Sequence, residues 1–398
     1  MKPFAILLVA GDPSGDLAAA ELVRALGRAA GPVPPRCFGA GGPAMAAAGV
    51  TLHHEMTRHS VIGVEILRRI SWFRRALLDL VRLARTEGAD AVVGVDYAGF
   101  NLRLASAVHE ARLQSQGPFR NWRPRIIQYI APQVWASRPG RARRMERTHD
   151  LLLSILPFEK GWFAENAPRL PVTFVGHPIV DRHATAPPPH DGEPATDRPP
   201  LLVLLPGSRP GELQRHLPVM LPAARAVAQR TGCRLRMVLP REELRPAAQA
   251  MTRDFAEAII QVGGLDATLR EATVALASTG TVTLECAWYG VPTVALYRTS
   301  RLTFEIGRRI VTVPHLAMPN LLAGAPIMPE FVQHLATPGA LAEALLSLLE
   351  APHRRQVLRG QLRAIARSLG PPGASDRAAA ALLALLRGGT PTSGATTR

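Results

Sequence analysis

The chain repeats one pattern throughout its length: a strand-length apolar run that ends at a turn and leads into a segment with helical spacing. Runs that are apolar throughout, rather than alternating with polar residues, indicate strands of a parallel sheet covered by helices on both faces. Ligands of such sheets bind beyond the carboxyl ends of the strands, so the turns that follow the runs are the first places to look for a site. The runs are Phe4–Ala10, Ala91–Val95, Ile126–Ile130, Leu151–Leu156, Leu201–Leu205, Leu235–Leu239, Ala258–Val262, Val274–Ala277 and Thr293–Leu296.

The length of 398 residues predicts two domains rather than one core. A proline-rich stretch poor in apolar residues, 181–200, is predicted to link them. We therefore expect Rossmann-like domains at 1–180 and 201–340. Residues 341–387 are expected to form helices that close the fold, and 388–398 a disordered tail.

The composition favours a globular protein with polyanionic partners. Lys and Arg number 47 against 31 Asp and Glu, a net charge of +16, which favours phosphate esters, nucleic acid or an anionic membrane surface as partners. Much of the excess is arginine, which can also reflect a GC-rich genome. No basic patch interleaved with aromatic residues is apparent, so nucleic acid is not an expected partner.

The cysteines and the apolar segments point to a cytoplasmic protein. Cys37, Cys233 and Cys286 are far apart and lack metal-ligand spacing, so neither disulfides nor a zinc site is expected. The first apolar run passes into Gly-Asp-Pro-Ser-Gly-Asp rather than a cleavage site. No run of about 18 apolar residues occurs, so no spanning helix is expected.

Two turns of the second half have the composition of anion sites. Gly207, Ser208 and Arg209 follow a buried strand, so backbone amides and a guanidinium could face a phosphate. A second turn of hydroxyl and glycine residues precedes a helix in which Glu285 could accept hydrogen bonds from ribose hydroxyls. Ordinary helix capping explains each turn alone, but two in one half favour a diphosphate. The residues of this second turn are Ser278, Thr279, Gly280 and Thr281.

Two features of the first half have both a functional and a structural explanation. Asp96 ends an apolar strand, where a carboxylate can act as a general base or cap the next helix. A helix predicted from near Val61 mixes apolar residues and Trp72 with several arginines. It could lie on an anionic bilayer or pack on the sheet with a solvated arginine face.

Missing motifs narrow the enzyme classes. The chain has no G-x-x-x-x-G-K-[ST] and no D-x-D, which disfavours a P-loop nucleotidase and a divalent metal on a sugar nucleotide. The cluster Phe38–Pro43 matches a dinucleotide fingerprint only in part, so hydride transfer is also disfavoured.

Ordered sequence blocks resemble the lipid-A-disaccharide synthase family of GT-B glycosyltransferases. The blocks follow the family order over roughly nine tenths of the chain, with the linker and the last residues outside them. They are AGDPSGD (10–16), GAGGPAM (39–45), VDYAGFN (95–101), APQVWASRPGR (131–141), LPFEK (156–160), FVGHP (174–178), LPGSR (205–209), STGTVTLE (278–285) and PNLLAG (319–324).

The resemblance implies a fold and a reaction. The fold is two Rossmann-like parallel-sheet domains facing a cleft. UDP-2,3-diacylglucosamine would donate its sugar, with inversion, to the 6-hydroxyl of 2,3-diacylglucosamine 1-phosphate, giving lipid A disaccharide 1-phosphate and UDP without a metal or other cofactor. The resemblance also implies peripheral association with the inner face of the inner membrane, and that homodimers can form.

The resemblance also implies residue roles. Asp96 matches the expected general base, Arg209 an arginine needed for activity, and Asn320 a polar residue of the donor pocket. Ser278–Thr281 and Glu285 would hold the diphosphate and ribose of UDP. Further substrate-binding residues are expected in the matching blocks and their arginines: Asp12, Ser14, Gly15, Gln133, Arg138 and Arg141.

The chain departs from the family pattern at two positions. Many members have Glu where this chain has Asp12, and a second acid where this chain has Gly99, so no second carboxylate competes with Asp96 as base in that turn. Two alternatives to the synthase stay open at this point. One is another GT-B enzyme, a UDP-N-acetylglucosamine 2-epimerase or a peptidoglycan N-acetylglucosaminyltransferase; the other is a non-catalytic basic module that binds lipid or RNA.

Overall fold

A computed structural model describes residues 2–57, 65–117, 120–183, 198–255 and 258–389. It divides the chain into two compact units. Unit 1 comprises Met1–Thr185 together with Leu369–Arg398, and unit 2 comprises Ala186–Ser368.

Unit 1 begins as a series of strands and helices in alternation. Its strands are β1 (Ala5–Ala10), β2 (Arg36–Gly41), β3 (Thr51–Glu55), β4 (Ala91–Val95), β5 (Gln116–Gly117), β6 (Arg120–Asn121), β7 (Arg125–Tyr129), β8 (Leu151–Ser154) and β9 (Val172–Phe174). Its helices up to residue 183 are α1 (Pro13–Ala29), α2 (Pro43–Ala47), α3 (Glu65–Thr86), α4 (Ala98–Gln114), α5 (Val134–Ser137), α6 (Arg141–Thr148), α7 (Glu159–Asn166) and α8 (Pro178–His183).

Unit 2 repeats the alternation. Its strands are β10 (Leu201–Leu205), β11 (Arg234–Leu239), β12 (Ala258–Val262), β13 (Val274–Ser278), β14 (Thr293–Tyr297) and β15 (Glu330–Val332). Its helices are α9 (Pro210–Thr231), α10 (Arg245–Met251), α11 (Leu265–Glu271), α12 (Thr281–Trp288), α13 (Arg301–Ile310), α14 (Met318–Ala323), α15 (Pro338–Leu349) and α16 (Pro352–Ser368). The last described helix, α17 (Ala374–Leu386), belongs to unit 1.

Both main sheets are parallel, as the apolar runs predicted. Among the described residues, the sheet of unit 1 has the strand order β3-β2-β1-β4-β7-β8-β9, and that of unit 2 the order β12-β11-β10-β13-β14-β15. Across each sheet the strands added in sequence extend first to one side and then to the other. This change of side falls between β1 and β4 in unit 1 and between β10 and β13 in unit 2, and is called the strand-order reversal below. In open α/β sheets a crevice forms beyond the carboxyl ends of the strands at such a reversal, which is the usual ligand site.

The strands next to each reversal are buried, which fixes where polar residues can stand. Every residue of β1, β4, β10 and β13 is buried. Helices cover both faces of these strands, so polar side chains that contact a ligand are confined to the turns after the strands. The fold therefore brings the turns after β1 and β4 side by side, and likewise those after β10 and β13.

The C-terminal helices are divided between the two units. Of the residues 341–387 predicted to form closing helices, α15 and α16 lie in unit 2, while α17 lies in unit 1. The start of α17 is held by Asp181, whose carboxylate accepts hydrogen bonds from the backbone N–H of Gly373, Ala374 and Ser375 at 2.6–3.1 Å. Composition could not reveal this helix cap because its acceptor is almost two hundred residues away in the sequence.

Within the predicted linker 181–200, the first three residues belong to α8, which ends at His183. The central part of the linker, 184–197, and the end of the predicted tail, 390–398, lie outside the described residues. No described helix combines the length and apolar content that crossing a bilayer requires.

The basic helix predicted from Val61 is present as α3, described from Glu65 onward. The side chains of residues 65–70 lie outside the described part of the chain. Trp72 and Phe73 are partly buried and pack against the core of unit 1, while Arg74 and Arg75 are exposed. The described part of α3 thus has a sheet-facing aromatic side and a solvated arginine side.

Candidate active site

The turn after β1 is organised by Asp12. Asp12 is the N-cap of α1, and its Oδ1 accepts a hydrogen bond from the Gly15 backbone N–H at 2.7 Å. Ser14 is exposed in the first turn of the helix, and Gly15 is buried. An aspartate has the right length for this cap, so the departure at position 12 is compatible with a well-formed helix start.

Asp96 lies at the same edge of the sheet, directly after β4. A Cβ added at Gly15 would lie 3.3 Å from Asp12 Oδ1 and 3.6 Å from the Asp96 Cβ, so the two turns are in close contact. The structure therefore brings together Asp12, Gly15 and Asp96 at the strand-order reversal of unit 1.

The backbone at Asp96 is held in an uncommon conformation. Asp96 and Tyr97 have φ values of 49° and 43°, in the left-handed region that non-glycine residues rarely adopt. Such residues cost on the order of 1–3 kcal/mol each and persist where their surroundings hold them. The consequence is that the Asp96 side chain leaves the strand in a direction that ordinary extended backbone would not give.

Two buried side-chain amides fix this turn through hydrogen bonds to the backbone carbonyl of Asp96. Asn101 Nδ2 and Gln128 Nε2 donate hydrogen bonds to the Asp96 carbonyl oxygen at 2.9 and 3.0 Å. Asn101 also donates to the carbonyls of Val9 and Val95, which links β1 to β4. Both amides need Gly94 beside them, because a Cβ there would lie 2.8 Å from Gln128 Oε1 and 2.9 Å from the Asn101 Cβ.

The surroundings of Asp96 raise its pKa toward neutrality. Burial, and to a smaller extent the negative charge of Asp12, raise the pKa of the Asp96 carboxyl to about 6, against a smaller lowering by a backbone hydrogen bond from Tyr97. The carboxyl therefore exchanges its proton closer to neutral pH than an ordinary aspartate, which suits a general base.

Arginines gather in unit 1 after the carboxyl end of β7. Arg141 begins α6 and is partly buried, while Arg138 is exposed just before it. Burial and the nearby charges of Arg138, Arg103 and Arg144 lower the pKa of Arg141. Mutual repulsion of this kind is relieved when an anion binds among the guanidinium groups. Gln133 is exposed just before α5.

A buried carboxylate positions the segment that carries these arginines. Glu159 accepts hydrogen bonds from Trp135 Nε1 at 3.1 Å and from the backbone N–H of Ile155 and Leu156 at 3.2 and 3.0 Å. Burial raises the pKa of Glu159 to about 7, and these hydrogen bonds act in the opposite direction. Glu159 thus joins the APQVWASRPGR and LPFEK blocks, a connection that spacing alone did not indicate.

The turn after β10 is occupied by a residue of the chain itself. Glu212 Oε2 accepts hydrogen bonds from the Ser208 and Arg209 backbone N–H groups at 2.7 and 3.3 Å, and its Oε1 accepts from the Arg209 guanidinium at 2.8 Å. Gly207 has φ 123°, and a Cβ there would lie 2.3 Å from Glu212 Oε2. The amides expected to face an anion therefore face a carboxylate in this structure.

The neighbouring turn after β13 has a different character. Ser278 is the buried last residue of β13, followed by the partly buried Thr279. Gly280 has φ 145° and is the N-cap of α12, and a glycine has no side chain with which to cap the helix. The space beside the Gly280 Cα is open, because no atom would lie within 4 Å of a Cβ added there. Thr281 is exposed, and the partly buried Glu285 lies one turn into the helix.

Asn320 is buried and hydrogen-bonded within unit 2. Its side chain is fully buried, and its Nδ2 donates to the Met328 carbonyl at 2.8 Å and to Glu330 Oε1 at 2.6 Å. Its Oδ1 accepts from the Met328 N–H at 2.8 Å. Both amide hydrogens are thus used within unit 2, and the expected place of Asn320 in the donor pocket stays a prediction.

Several residues of these turns were missed by sequence reasoning. Asp16 is buried and accepts hydrogen bonds from the N–H groups of Gly42, Ala44 and Met45 at 2.8–3.1 Å, which ties the first turn to α2. Buried polar residues in apolar runs were the available signal for Gln128, which stands within β7. Glu212 could have been found from its capping-box spacing, three residues after Arg209.

The described residues contain no cluster of three or more His, Cys, Asp or Glu side chains that could hold a metal ion. The cysteines Cys37, Cys233 and Cys286 are free and buried, without a role in the turns described above.

Structural comparison finds the same fold in several solved structures. A putative UDP-N-acetylglucosamine 2-epimerase from Listeria monocytogenes superposes with a TM-score of 0.65 at 13% identity, covering 98% of this chain and 99% of that one. An S. aureus MnaA solved with UDP gives 0.62 at 12% identity, covering 99% and 100%. MurG from Acinetobacter baumannii gives 0.54 at 15% identity, covering 98% and 100%. At these identities the likeness shows the GT-B fold alone.

Sequence comparison is more specific. The lipid-A-disaccharide synthetase family model matches residues 6–382. The lipid-A-disaccharide synthase of Alkalilimnicola ehrlichii is 38% identical over 401 residues, covering 96% of this chain and 99% of the relative. That of Geobacter metallireducens is 32% identical over 396 residues, covering 96% and 97%. The chain therefore belongs to the lipid-A-disaccharide synthase family of glycosyltransferases.

Proposed function

We propose that this protein transfers 2,3-diacylglucosamine from UDP-2,3-diacylglucosamine to the 6-hydroxyl of 2,3-diacylglucosamine 1-phosphate, with inversion and release of UDP. The observation that carries the proposal is the match to lipid-A-disaccharide synthases along nearly the whole chain. The epimerases and MurG share the fold at 16% identity or less, so they do not favour the alternative enzymes.

The proposed base is Asp96. Inverting transfer requires removal of the proton from the acceptor hydroxyl as its oxygen attacks the anomeric carbon and the bond to UDP breaks. With a pKa of about 6, the Asp96 carboxyl is mostly ionised at neutral pH and can accept this proton. General-base assistance of this kind contributes about 10²- to 10⁴-fold to a rate. Asn101 and Gln128 act on the base indirectly, as positioning residues for its backbone.

The proposed site for the acceptor phosphate is the arginine cluster of unit 1. Arg103, Arg138, Arg141 and Arg144 are close enough for their charges to lower the pKa of Arg141. A phosphate monoester would be stabilised by charge-assisted hydrogen bonds there, and these are about twice as strong as neutral ones. Arg103 and Arg144 thus join Arg138 and Arg141, which the sequence analysis had named as substrate-binding residues.

The proposed nucleotide site is the pair of turns in unit 2. The open helix N-terminus at Gly280 and Thr281 can donate backbone hydrogen bonds to a diphosphate, and Glu285 is placed for the ribose. Arg209 would exchange Glu212 for a phosphate. Its partly exposed ion pair with Glu212 at i,i+3 contributes about 0.5 kcal/mol, so breaking this pair costs little free energy.

The proposed location is the cytoplasmic face of the inner membrane, because both substrates carry acyl chains. Exposed residues of α3 support a contact with anionic lipid in unit 1. Leu78 is 54% exposed, and Arg74, Arg75 and Arg82 surround it on the solvated side of the helix. Such a basic amphipathic surface favours peripheral binding.

Product analysis tests the proposed reaction directly. Purified protein incubated with the two lipid substrates in mixed micelles is expected to form a disaccharide 1-phosphate together with an equal amount of UDP, detected by mass spectrometry. UDP-N-acetylglucosamine as a sole substrate is the control, and its 2-epimerisation would indicate the alternative enzyme. Folded protein that binds UDP but forms no disaccharide would refute the proposal.

Replacement of Asp96 tests the base. Asp96→Asn keeps the size of the side chain but cannot accept the proton, so kcat should fall by at least about 10²-fold while UDP still protects the protein against thermal unfolding. Asp90→Asn is a matched control, because Asp90 stands at the opposite end of β4 and accepts a hydrogen bond from the Ala5 N–H. Turnover of the Asp96 variant within about threefold of wild type would remove Asp96 from this role.

Replacement of Arg209 tests the nucleotide site. Arg209→Met removes a charge-assisted hydrogen bond worth about 1.5–3 kcal/mol, so the Kd for UDP should rise about 10- to 100-fold in a calorimetric titration. Arg230→Met is the control, since Arg230 is also an exposed, ion-paired arginine, at the other end of α9. Equal UDP affinity in the two variants would contradict the assignment.

A further inference from the structure

Helix α13 of unit 2 exposes an apolar pair that nothing described in the chain covers. No residue of the helix is buried. Leu302 and Ile306 are 62% and 51% exposed, and their i,i+4 spacing puts them on the same face. A ten-residue helix contributes little stability to a fold without burying a face. The exposed pair is therefore a candidate contact surface.

Basic residues flank this pair on the same helix. Arg301, Arg308 and Arg309 are exposed on the same helix, and the helix contains one acidic residue, Glu305, which pairs with Arg308 at 2.7 Å. The surface thus joins apolar side chains to an excess of guanidinium groups. Anionic phosphates above an apolar layer are the complementary partner.

The segment between β14 and α13 is hydrogen-bonded to the turn after β10 through His216. His216 is fully buried; its Nδ1 lies 2.7 Å from the Pro206 carbonyl, and its Nε2 lies 3.1 Å from the Arg298 backbone N. A neutral ring that donates from Nδ1 and accepts at Nε2 satisfies both contacts, and burial lowers the pKa of His216, which keeps it neutral. Gln333 binds both backbone groups of Thr299 at 3.0 Å.

The sheet fixes where α13 starts. Strand β14 pairs in parallel with β13, so the helix that follows β14 begins at the same edge as Ser278–Thr281. A sugar nucleotide held at that edge would lie beside the start of α13. Acyl chains on the sugar could then remain in the bilayer while the nucleotide is bound.

We propose that α13 is a membrane-docking helix of unit 2, which lies in the headgroup region of an anionic bilayer with Leu302 and Ile306 inserted and Arg301, Arg308 and Arg309 at the phosphates. The inference rests on the proposed function only in one respect: docking would give the protein access to a diacylated donor in the membrane. The binding itself follows from the exposed side chains and their charge.

A fluorescent label tests the insertion at one site. Because Cys37, Cys233 and Cys286 are buried, a cysteine placed by Ile306→Cys can be labelled selectively with the environment-sensitive dye NBD. On addition of vesicles with about 30% phosphatidylglycerol, its emission should rise about twofold or more and shift to the blue, and nitroxide lipids should quench it. Val357→Cys on α16 is the control, since Val357 is 50% exposed, and should stay unchanged.

Sedimentation with vesicles measures the energetic contribution. Leu302→Ser/Ile306→Ser should lower vesicle affinity about tenfold or more, because less apolar area is inserted. Arg301→Gln/Arg309→Gln should lower affinity for anionic vesicles about fivefold per charge and leave neutral vesicles unaffected. Ile259→Ser/Val357→Ser, at two other exposed apolar positions of unit 2, should bind as wild type does.

The other outcomes overturn the inference. An unchanged label at 306 on protein that sediments with vesicles would place docking elsewhere in the chain. A shift that needs only higher protein concentration would make a second copy of the chain the occupant. An assay of sugar transfer in detergent micelles separates the two proposals. A Leu302→Ser/Ile306→Ser variant that is active and binds vesicles normally would refute the docking helix alone. Wild-type protein that docks on vesicles but is inactive would refute the proposed reaction alone.

Discussion

The geometry of the candidate base depends on one backbone carbonyl and the two buried amides that hold it. Asn101 and Gln128 both donate to the carbonyl of Asp96, at 2.9 and 3.0 Å. Without these bonds a buried carbonyl would lack partners, and the left-handed backbone at Asp96 and Tyr97 would relax toward ordinary extended geometry. Because Asn101 also bonds the carbonyls of β1 and β4, the same amide fixes the distance between the two turns of unit 1.

The two units place different chemical groups at the same point of a shared topology. At the strand-order reversal of unit 1 stand carboxylates, with the charge of Asp12 adding to burial in raising the pKa of Asp96. At the reversal of unit 2 stand backbone amides, hydroxyls and Arg209. The contrast agrees with the proposed division, in which unit 1 would accept the proton of the acceptor hydroxyl and unit 2 would bind the leaving diphosphate. In this structure the Glu212 carboxylate accepts hydrogen bonds from the backbone N–H groups of Ser208 and Arg209.

Much of the fold could be predicted from the sequence, because buried parallel strands are continuous apolar runs. The runs Ala91–Val95, Leu201–Leu205 and Ala258–Val262 coincide with strands. The strands β2 and β3 were not predicted, because Gly39 and Gly41 in β2 and the polar, partly exposed residues of β3 interrupt the apolar signal. The place of α17 was missed because it depends on the distant cap formed by Asp181.

The candidate site was predictable only in part. The turns could be located because they follow apolar runs, and Asp96, Arg209 and Gly280 were singled out on that basis. Contacts between distant segments could not be read from local patterns, which is why the burial of Asn320 against Glu330, the link from Trp135 to Glu159 and the amide of Gln128 appear first in the structure.

We propose Asp96, with a pKa raised by its surroundings, as the base. The pH dependence of kcat/KM in wild type and in the Asp12→Asn variant tests this role most directly. A carboxyl with a raised pKa is inactive as a base when protonated, so kcat/KM should fall as pH falls through about 6. The side-chain amide introduced by Asp12→Asn would still cap α1 but lacks the charge that raises the pKa of Asp96, so the midpoint should move to lower pH in the variant. The acceptor phosphate also titrates in this range but would not shift with this substitution. An identical midpoint in both proteins, or no acid limb in wild type, would contradict the account.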